Sequence, residues 1–165
     1  MRRVKLNRRG MLFKIARAVT SKLIRGEYHF SNVSEISSEE LRKHMVSSTP
    51  PLLIDVRDAG EYNSGFGHLP GAVHMPLMEL VVKFPSAAAF KAAIKDLEIR
   101  FRELEPYMQG EVVTICPGGG FSLVAAEIMA EAGFQNVRSL SGGADGWFKK
   151  GYPTELPDTN KGGSI

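Results

Sequence analysis

The strongest hydrophobic pattern of the chain lies in residues 112–133, where an apolar run rich in β-branched side chains leads into three glycines and a periodic apolar segment. Short continuous apolar runs are typical of buried strands, whereas apolar positions repeating every three or four residues are typical of helices. We therefore predict a buried strand at residues 112–115, a tight loop at residues 116–121 and a following helix. That helix is expected to open near Ser122, with the Ser122 hydroxyl as its cap, and to end at Gly133.

Three further segments have strand patterns. Residues 52–56 form a continuous apolar run interrupted only by Asp55, which places Asp55 near a strand end. Shorter runs at residues 73–75 and 136–140 predict two more strands. Residues 26–35 show no such pattern and are expected to be a linker.

Helical patterns separate these strands. Ser37 followed by Glu40 forms a capping box, which predicts a short helix to about Val46. Apolar residues repeat at helical spacing over residues 86–105, and another short helix is expected around Trp147. Strands alternating with helices predict an α/β fold with a parallel sheet covered on both faces.

Composition narrows the class of protein further. A chain of 165 residues suits one domain with a real core, and a single cysteine excludes an internal disulfide. Such cysteine usage fits a reducing compartment, so we expect a cytoplasmic protein. One cysteine and four scattered histidines show no metal-ligand spacing, and no apolar stretch reaches transmembrane length.

The charge is distributed unevenly along the chain. Residues 1–25 hold nine of the 21 basic residues and no acidic residue, so the remaining chain carries 12 basic and 18 acidic side chains. We favour an accessory helix or floppy arm, and contact with an anionic membrane surface, an acidic partner or nucleic acid remains an alternative, nucleic acid being the least favoured. A cleaved organellar targeting peptide is a further alternative. We divide the chain into an arm and linker at 1–34, a domain at 35–153 and a flexible tail at 154–165.

Cys116 carries the candidate chemistry. It follows the predicted strand at the edge where parallel sheets bind ligands. Backbone amides beside a helix N-terminus stabilise a thiolate, and we expect the amides of residues 118–122 to do so, because Pro117 has no N–H. This pattern favours a nucleophile in an anion-binding loop. An inert core cysteine beside a flexible turn is the alternative.

The remaining polar residues of the turn-rich region suggest structural roles. We expect His68 and His74 to be structural hydrogen-bonding residues rather than general bases. Asp58 and Glu61 are expected to be solvated or paired with Arg57. The pattern therefore indicates no acid–base pair.

Three segments in order resemble the signatures of the rhodanese-like domain family. Residues 53–76, LIDVRDAGEYNSGFGHLPGAVHMP, are similar to its first signature, and the cysteine strand and loop follow at the expected place. Residues 139–153, SLSGGADGWFKKGYP, are similar to its closing signature. The resemblance covers about residues 35–153 and implies a parallel five-stranded sheet flanked by helices on both faces.

The resemblance also implies an activity. Cys116 would take sulfane sulfur from a donor as a persulfide and pass it to a nucleophilic acceptor, with no cofactor beyond that covalent intermediate. Asp55 and Arg57 would be structural supports. The partners would be a small-molecule or protein persulfide donor and a thiol acceptor. The loop around the sulfur would consist of Pro117, Gly118, Gly119, Gly120, Phe121 and Ser122.

One departure from the family pattern bears on the donor. Many thiosulfate-using members carry arginine where this chain has Phe121, and a basic residue is common at the position of Pro117. Without a guanidinium to bind a sulfonate, we expect weak thiosulfate activity and a neutral, persulfidic or protein-bound donor. The same absence argues against phosphatase chemistry, which needs a loop arginine. The alternative function is a non-catalytic binding or regulatory module recruited through its basic arm.

Overall fold

The computed structural model describes residues 33–77, 99 and 102–157. Five strands form one sheet in the order β1-β5-β4-β2-β3, and every neighbouring pair is parallel. The five-stranded parallel sheet is therefore confirmed. The strands are β1 (Ser34–Ile36), β2 (Leu52–Asp55), β3 (Val73–His74), β4 (Glu111–Ile115) and β5 (Asn136–Leu140).

Four helices are described in addition to a 3₁₀ turn at Glu105–Tyr107. The predicted helix at residues 86–105 lies almost wholly outside the described residues, although residues 99, 102 and 103 are helical. The basic arm at residues 1–25 also lies outside them. Within the described ranges, no helix has the length and apolar character needed to cross a membrane. The four helices are α1 (Ser38–Met45), α2 (Ala59–Tyr62), α3 (Gly120–Glu131) and α4 (Gly143–Lys149).

The start of the domain differs from the sequence prediction. The linker predicted at residues 26–35 overlaps β1, which pairs with β5 at the edge of the sheet. Of the three residues of β1 only Ile36 is buried, so the strand is too short and too exposed to show a hydrophobic alternation. Ser37 is the N-cap as predicted, because its side chain accepts a hydrogen bond from the Glu40 N–H at 3.2 Å, which is one of the two bonds of a capping box.

The core is divided between the two faces of the sheet. Alternate residues of β4 point to opposite sides, so Val112 and Cys116 belong to one buried cluster and Val113 and Ile115 to the other. Helix α3 packs on the Cys116 side, while α1 and α4 pack on the opposite side, where Trp147 is the largest buried side chain. This arrangement confirms the prediction of helices on both faces.

The packed chain continues beyond residue 153, where the sequence analysis placed the end of the domain. The Trp147 indole N–H donates to the Pro153 carbonyl at 2.8 Å. The backbones of Glu155 and His68 exchange two hydrogen bonds, of 3.0 and 2.8 Å. These bonds hold the chain against the domain as far as Glu155, and the predicted tail beyond residue 157 lies outside the described residues.

Gly143 at the start of α4 is expected to tolerate no side chain. It has φ +58°, and a Cβ would lie 2.2 Å from the Cys116 carbonyl oxygen and 2.3 Å from that of Pro117. Both contacts are with backbone, so Gly143→Ala must displace either the cysteine loop or α4. We expect the free energy of unfolding, measured by urea denaturation, to fall by about 2–4 kcal/mol.

Gly118→Ala is the matched control for this prediction. A Cβ at Gly118 would meet no atom within 4 Å. The free energy of unfolding should change by less than about 1 kcal/mol there, because the substitution meets no atoms and acts mainly through the backbone entropy of the unfolded chain. If both variants lost the same amount of stability, the close approach of backbone at Gly143 could not be the cause of the loss in Gly143→Ala.

Glu40 on α1 should make stability depend on pH. Its carboxylate accepts a hydrogen bond from Arg138 Nη1 on β5 at 2.8 Å, and chiefly for that reason its pKa lies below the usual 4.5. A pKa that folding lowers contributes stability above the unfolded pKa, and the contribution is lost as pH falls through the folded pKa. Glu40→Gln should therefore reduce the free energy of unfolding at pH 7. In urea denaturation, its difference from the native chain should shrink as pH falls below 4.5; a difference independent of pH would contradict this.

Candidate active site

Cys116 lies directly after β4, at the carboxyl end of a central strand of the sheet. Its side chain is only 1% exposed. The backbone turns at Gly119, which has φ 98°, and this turn directs the Gly119 N–H to the Cys116 sulfur at 3.1 Å. The left-handed conformation favours glycine at this position. Of the amides of residues 118–122 that were expected at the sulfur, the Gly119 N–H is the one that donates to it among the described bonds.

Gly118 and Gly120 have room for a side chain, unlike Gly119. A Cβ on either residue would meet nothing within 4 Å, whereas one on Gly119 would lie 3.0 Å from the Gly142 nitrogen. The loop therefore has a geometric need for glycine at one of its three glycine positions. Phe121, the next residue, is 39% exposed and sits at the surface of the loop.

Ser122 does not cap the helix, which corrects the prediction from the sequence. Helix α3 begins two residues earlier, with Gly119 at the N-cap position and no side-chain cap. Ser122 instead lies inside the first turn and is fully buried. Its Oγ is 3.2 Å from the Cys116 sulfur, which donates to it in the thiol form, and the Ser122 hydroxyl donates to the Gly119 carbonyl at 3.1 Å.

Ser139 on β5 also belongs to this cluster, and the sequence analysis missed it. Its Oγ lies 2.7 Å from Ser122 Oγ, and the residue is fully buried. A polar residue between Val137 and Leu140 in a strand was the only signal in the sequence. That signal did not connect Ser139 to Cys116, because Ser139 reaches Ser122, the neighbour of the Cys116 sulfur, only where β5 pairs with β4.

The first turn of α4 holds the cysteine loop from the other side. The Ala144 N–H donates to the Cys116 carbonyl at 2.8 Å, and the Asp145 N–H donates to the Pro117 carbonyl at 3.0 Å. These two carbonyls lie after the end of β4, so they take no part in the hydrogen bonds between the strands. The helix therefore satisfies two backbone acceptors that would otherwise be buried without partners.

Asp55 and Arg57 form a buried ion pair beside the loop. Asp55 is the last residue of β2, as predicted, and Arg57 Nε and Nη2 donate to its two oxygens at 2.9 and 2.7 Å. The guanidinium also donates to the carbonyls of Glu61 and Gly67, at 3.2 and 3.0 Å. Arg57 thus pairs with Asp55 rather than with a carboxylate of α2. Its contacts join the end of β2 to α2 and the turn after it.

An aromatic stack lies next to this ion pair. Tyr62 is placed between His68 and His74, with ring centroids 3.9 and 4.3 Å away. His74 Nε2 donates to the Arg57 carbonyl at 2.9 Å, in agreement with a structural role. His68 Nδ1 has no hydrogen-bond partner in the described part of the chain. Burial raises the pKa of Tyr62, so its phenol is neutral.

A cavity of about 350 Å³ adjoins the cysteine loop through Pro117. The rings of Phe66 and Phe148 stack in its wall with centroids 5.6 Å apart, and Phe66 is 70% exposed. Charged groups of both signs complete the lining. The polar lining residues are Arg57, Glu61, Ser64, Asp145 and Lys149. Among the described residues, no group of side chains is arranged to hold a metal ion.

Comparison with known sequences gives a family and distant relatives. The family described as Rhodanese-like domain matches residues 37–150. YrkF of Bacillus subtilis, designated a candidate sulfur carrier protein, is 31% identical over 120 residues, covering 73% of this chain and 54% of that protein. The adenylyltransferase and sulfurtransferase MOCS3 of rice is 28% identical over 127 residues, covering 74% of this chain and 26% of that protein. The chain therefore spans about half or less of these relatives.

Solved structures share the fold. The human single-domain sulfurtransferase TSTD1 is 28% identical, with a TM-score of 0.51 and coverage of 72% of this chain and 97% of that one. A polysulfide-sulfur transferase from Wolinella succinogenes is 20% identical with a TM-score of 0.55, and the match covers 92% of this chain and 96% of that one. The family match includes every element from α1 to α4 and more than half of the sequence, and the chain belongs to the rhodanese-like domain family.

Proposed function

We propose that the protein moves sulfane sulfur through a persulfide on Cys116. The observation that carries the proposal is the surroundings of the thiol. Cys116 ends a central strand, and its sulfur lies 3.1 Å from the Gly119 N–H and 3.2 Å from the Ser122 hydroxyl. The Gly119 N–H donates to the sulfur, and the Ser122 hydroxyl, which accepts from the thiol, lies close enough to donate to a thiolate; a purely structural cysteine has no need of such neighbours.

The reaction has two balanced steps. In loading, the Cys116 thiolate attacks the outer sulfur of a donor persulfide, the donor's S–S bond breaks, and the donor leaves as its thiolate. In transfer, an acceptor thiolate attacks the outer sulfur now on Cys116, the new S–S bond breaks, and the electron pair returns to the Cys116 sulfur. Neither step requires a cofactor or a metal, because the persulfide itself carries the sulfur.

The relatives support sulfur transfer in general. Their names describe a candidate sulfur carrier and sulfurtransferases. Because this chain spans only part of the curated relatives, their donors and acceptors are not carried over to it. On the argument from cysteine usage, we place the activity in a reducing compartment, the cytoplasm.

We propose a persulfidic donor, small or protein-bound, rather than thiosulfate. Phe121 stands where a guanidinium would be needed to bind a doubly charged sulfonate, and the Arg57 guanidinium already binds Asp55, Glu61 and Gly67. The adjoining cavity offers aromatic walls and charges of both signs, which suits the organic body of a persulfide more than a small dianion.

A second candidate function is a non-catalytic binding module of the same fold. The burial of Cys116, at 1% exposure, is the observation that favours it, because a nucleophile must reach its substrate. Such a module would use the exposed ring of Phe66 and the cavity as its binding face, or be recruited through the basic arm to an anionic membrane or an acidic partner.

The primary test is the intact mass of the full chain after exposure to inorganic polysulfide. We expect a gain of about 32 Da, the mass of one sulfur atom, and its removal by cyanide, because a thiolate in this loop accepts sulfane sulfur reversibly. Cys116→Ser is the matched control and should gain nothing. If the native chain also gains nothing and its thiol alkylates no faster than a free cysteine, the binding module becomes the better description.

Phe121→Arg should improve the use of thiosulfate. The side chain at this position is 39% exposed, so a guanidinium has room at the loop surface. A charge-assisted bond to the sulfonate should raise the rate of sulfur loading from thiosulfate by about tenfold or more. The rate is measured by intact mass against time.

Phe121→Gln is the control, since it removes the ring without adding charge. It should leave the thiosulfate rate low, and loading from polysulfide should change little in both variants. An arginine variant no faster than the glutamine variant would remove the electrostatic explanation for donor choice.

A further inference from the structure

Ser139 is a fully buried polar residue on an inner face of the sheet. It lies beside Thr114 in the register of β4 and β5, on the sheet face that carries Val112, Cys116 and Val137. Both Thr114 and Ser139 are fully buried. Each is hydrogen-bonded to Ser122, Thr114 to its carbonyl at 2.7 Å and Ser139 to its hydroxyl at 2.7 Å. Thr114 therefore attaches the backbone of α3 to the sheet, whereas Ser139 contacts the side chain of Ser122.

The protons available to this cluster explain why the contact matters. Ser122 has one hydroxyl proton and three neighbours for its Oγ: the Cys116 sulfur at 3.2 Å, the Gly119 carbonyl at 3.1 Å and Ser139 Oγ at 2.7 Å. When Cys116 is a thiol, its S–H can donate to Ser122, which donates onward to Gly119. When Cys116 is a thiolate, Ser122 must turn its proton to the sulfur.

Ser139 decides which arrangement of protons is available to the thiolate. If the Ser139 hydroxyl donates to Ser122 Oγ, the Ser122 oxygen has a donor. The Ser122 proton can then be donated to the Cys116 sulfur. Within the described part of the chain the Ser139 hydroxyl is hydrogen-bonded only to Ser122 Oγ, which favours this direction. Removing the Ser139 hydroxyl leaves Ser122 Oγ without a donor when Cys116 is ionised, and an unsatisfied buried acceptor is costly.

We propose that Ser139 is a positioning residue for sulfur transfer, which directs the Ser122 hydroxyl to the Cys116 sulfur and so stabilises the thiolate. The inference rests on the proposed function, and it identifies the thiolate as the species that the cluster is built to receive. In the transfer step, the acceptor takes the outer sulfur and the Cys116 sulfur leaves with the electron pair. The Gly119 N–H and the Ser122 O–H are the donors that meet that charge.

The charged groups around the loop are kept constant in the test. Arg57, two residues after β2, Glu61 of α2, and Asp145 and Lys149 of α4 line the adjoining cavity, and helix α3, which carries Ser122, holds the buried Glu127. β5 contributes no charged side chain at the Ser139 contact. A change on substituting Ser139 therefore reports the hydroxyl and not an altered field.

The experiment measures the rate of Cys116 alkylation by iodoacetamide as a function of pH in the full chain, which needs no sulfur donor. We expect Ser139→Ala to lower the rate at pH 7 by about threefold to tenfold and to move the midpoint of the profile up by about half to one pH unit. The plateau rate at high pH should be unchanged, because the thiolate is then fully formed. After loading with polysulfide, the single-turnover release of thiocyanate on adding cyanide should slow by a similar factor.

Two further variants separate positioning from structural damage. Thr114→Val removes a buried hydroxyl of the same strand pair that bonds only to carbonyls, and it should destabilise the fold with less than a twofold change in the alkylation profile. Ser122→Ala should have a larger effect than Ser139→Ala. Because Ser139 acts through Ser122, the double variant should match Ser122→Ala alone.

The outcomes are decisive in either direction. Alkylation of Ser139→Ala within twofold of the native chain at all pH values would overturn the proposal, and so would additive effects in the double variant. If polysulfide never loads Cys116 while the alkylation profile shifts as expected, sulfur transfer fails and the assignment of Ser139 to the thiolate stands. If polysulfide loads Cys116 and the alkylation profile of Ser139→Ala does not move, sulfur transfer stands and the assignment of Ser139 to the thiolate fails.

Discussion

The candidate site depends on one close approach of backbone, between the loop that follows β4 and the first turn of α4. Gly143 lies against the carbonyls of Cys116 and Pro117, and the next two N–H groups of the helix donate to those same carbonyls at 2.8 and 3.0 Å. A strand that ends inside a protein leaves carbonyl groups without ladder partners, and burying them unpaired costs about as much as a lost hydrogen bond. Helix α4 supplies the partners, and the buried ring of Trp147 anchors that helix to the sheet. The direction of the Cys116 side chain is thus set by a segment well downstream in the chain.

Neutral donors define the chemistry of the loop. The hydrogen bonds that the described structure gives the Cys116 sulfur involve the Gly119 N–H and the Ser122 hydroxyl. Such donors suit a singly charged sulfur, whether thiolate or persulfide, while a sulfonate or phosphoryl group calls for a guanidinium. Arg57, which lines the adjoining cavity, is 3% exposed and bonded to Asp55 and to two carbonyls, so it acts on the shape of the cavity. The proposed donor selectivity therefore rests on the composition of the loop and not on the fold.

The buried polar groups of the domain fall into two sets with different purposes. The Asp55–Arg57 pair is satisfied by hydrogen bonds on both partners, which offsets the desolvation of two charges and joins β2 to α2 and the turn after it. The hydroxyls of Ser122 and Ser139 are uncharged and share few protons among several acceptors. A set of this second kind can change its pattern of donation when a neighbouring sulfur ionises, whereas the ion pair keeps one arrangement. The two sets lie on either side of the cysteine loop.

Much of the fold could be predicted from the sequence, because its signals are local. The apolar run of β4, the capping box of α1 and the glycines after Cys116 are each short patterns with one favoured conformation, and three signatures in order indicated the family. The sequence could not show β1, which has only one buried residue, nor the role of Ser122, which looked like a cap and lies inside the helix. It could not show Ser139 at all, because the contact with Ser122 exists only where β5 pairs with β4. The sequence by itself thus determined most of the elements and the candidate nucleophile, which depend on side-chain periodicity and residue type. The tertiary structure alone decided which hydroxyls and amides reach the sulfur, because those distances depend on the register of strands far apart in the chain.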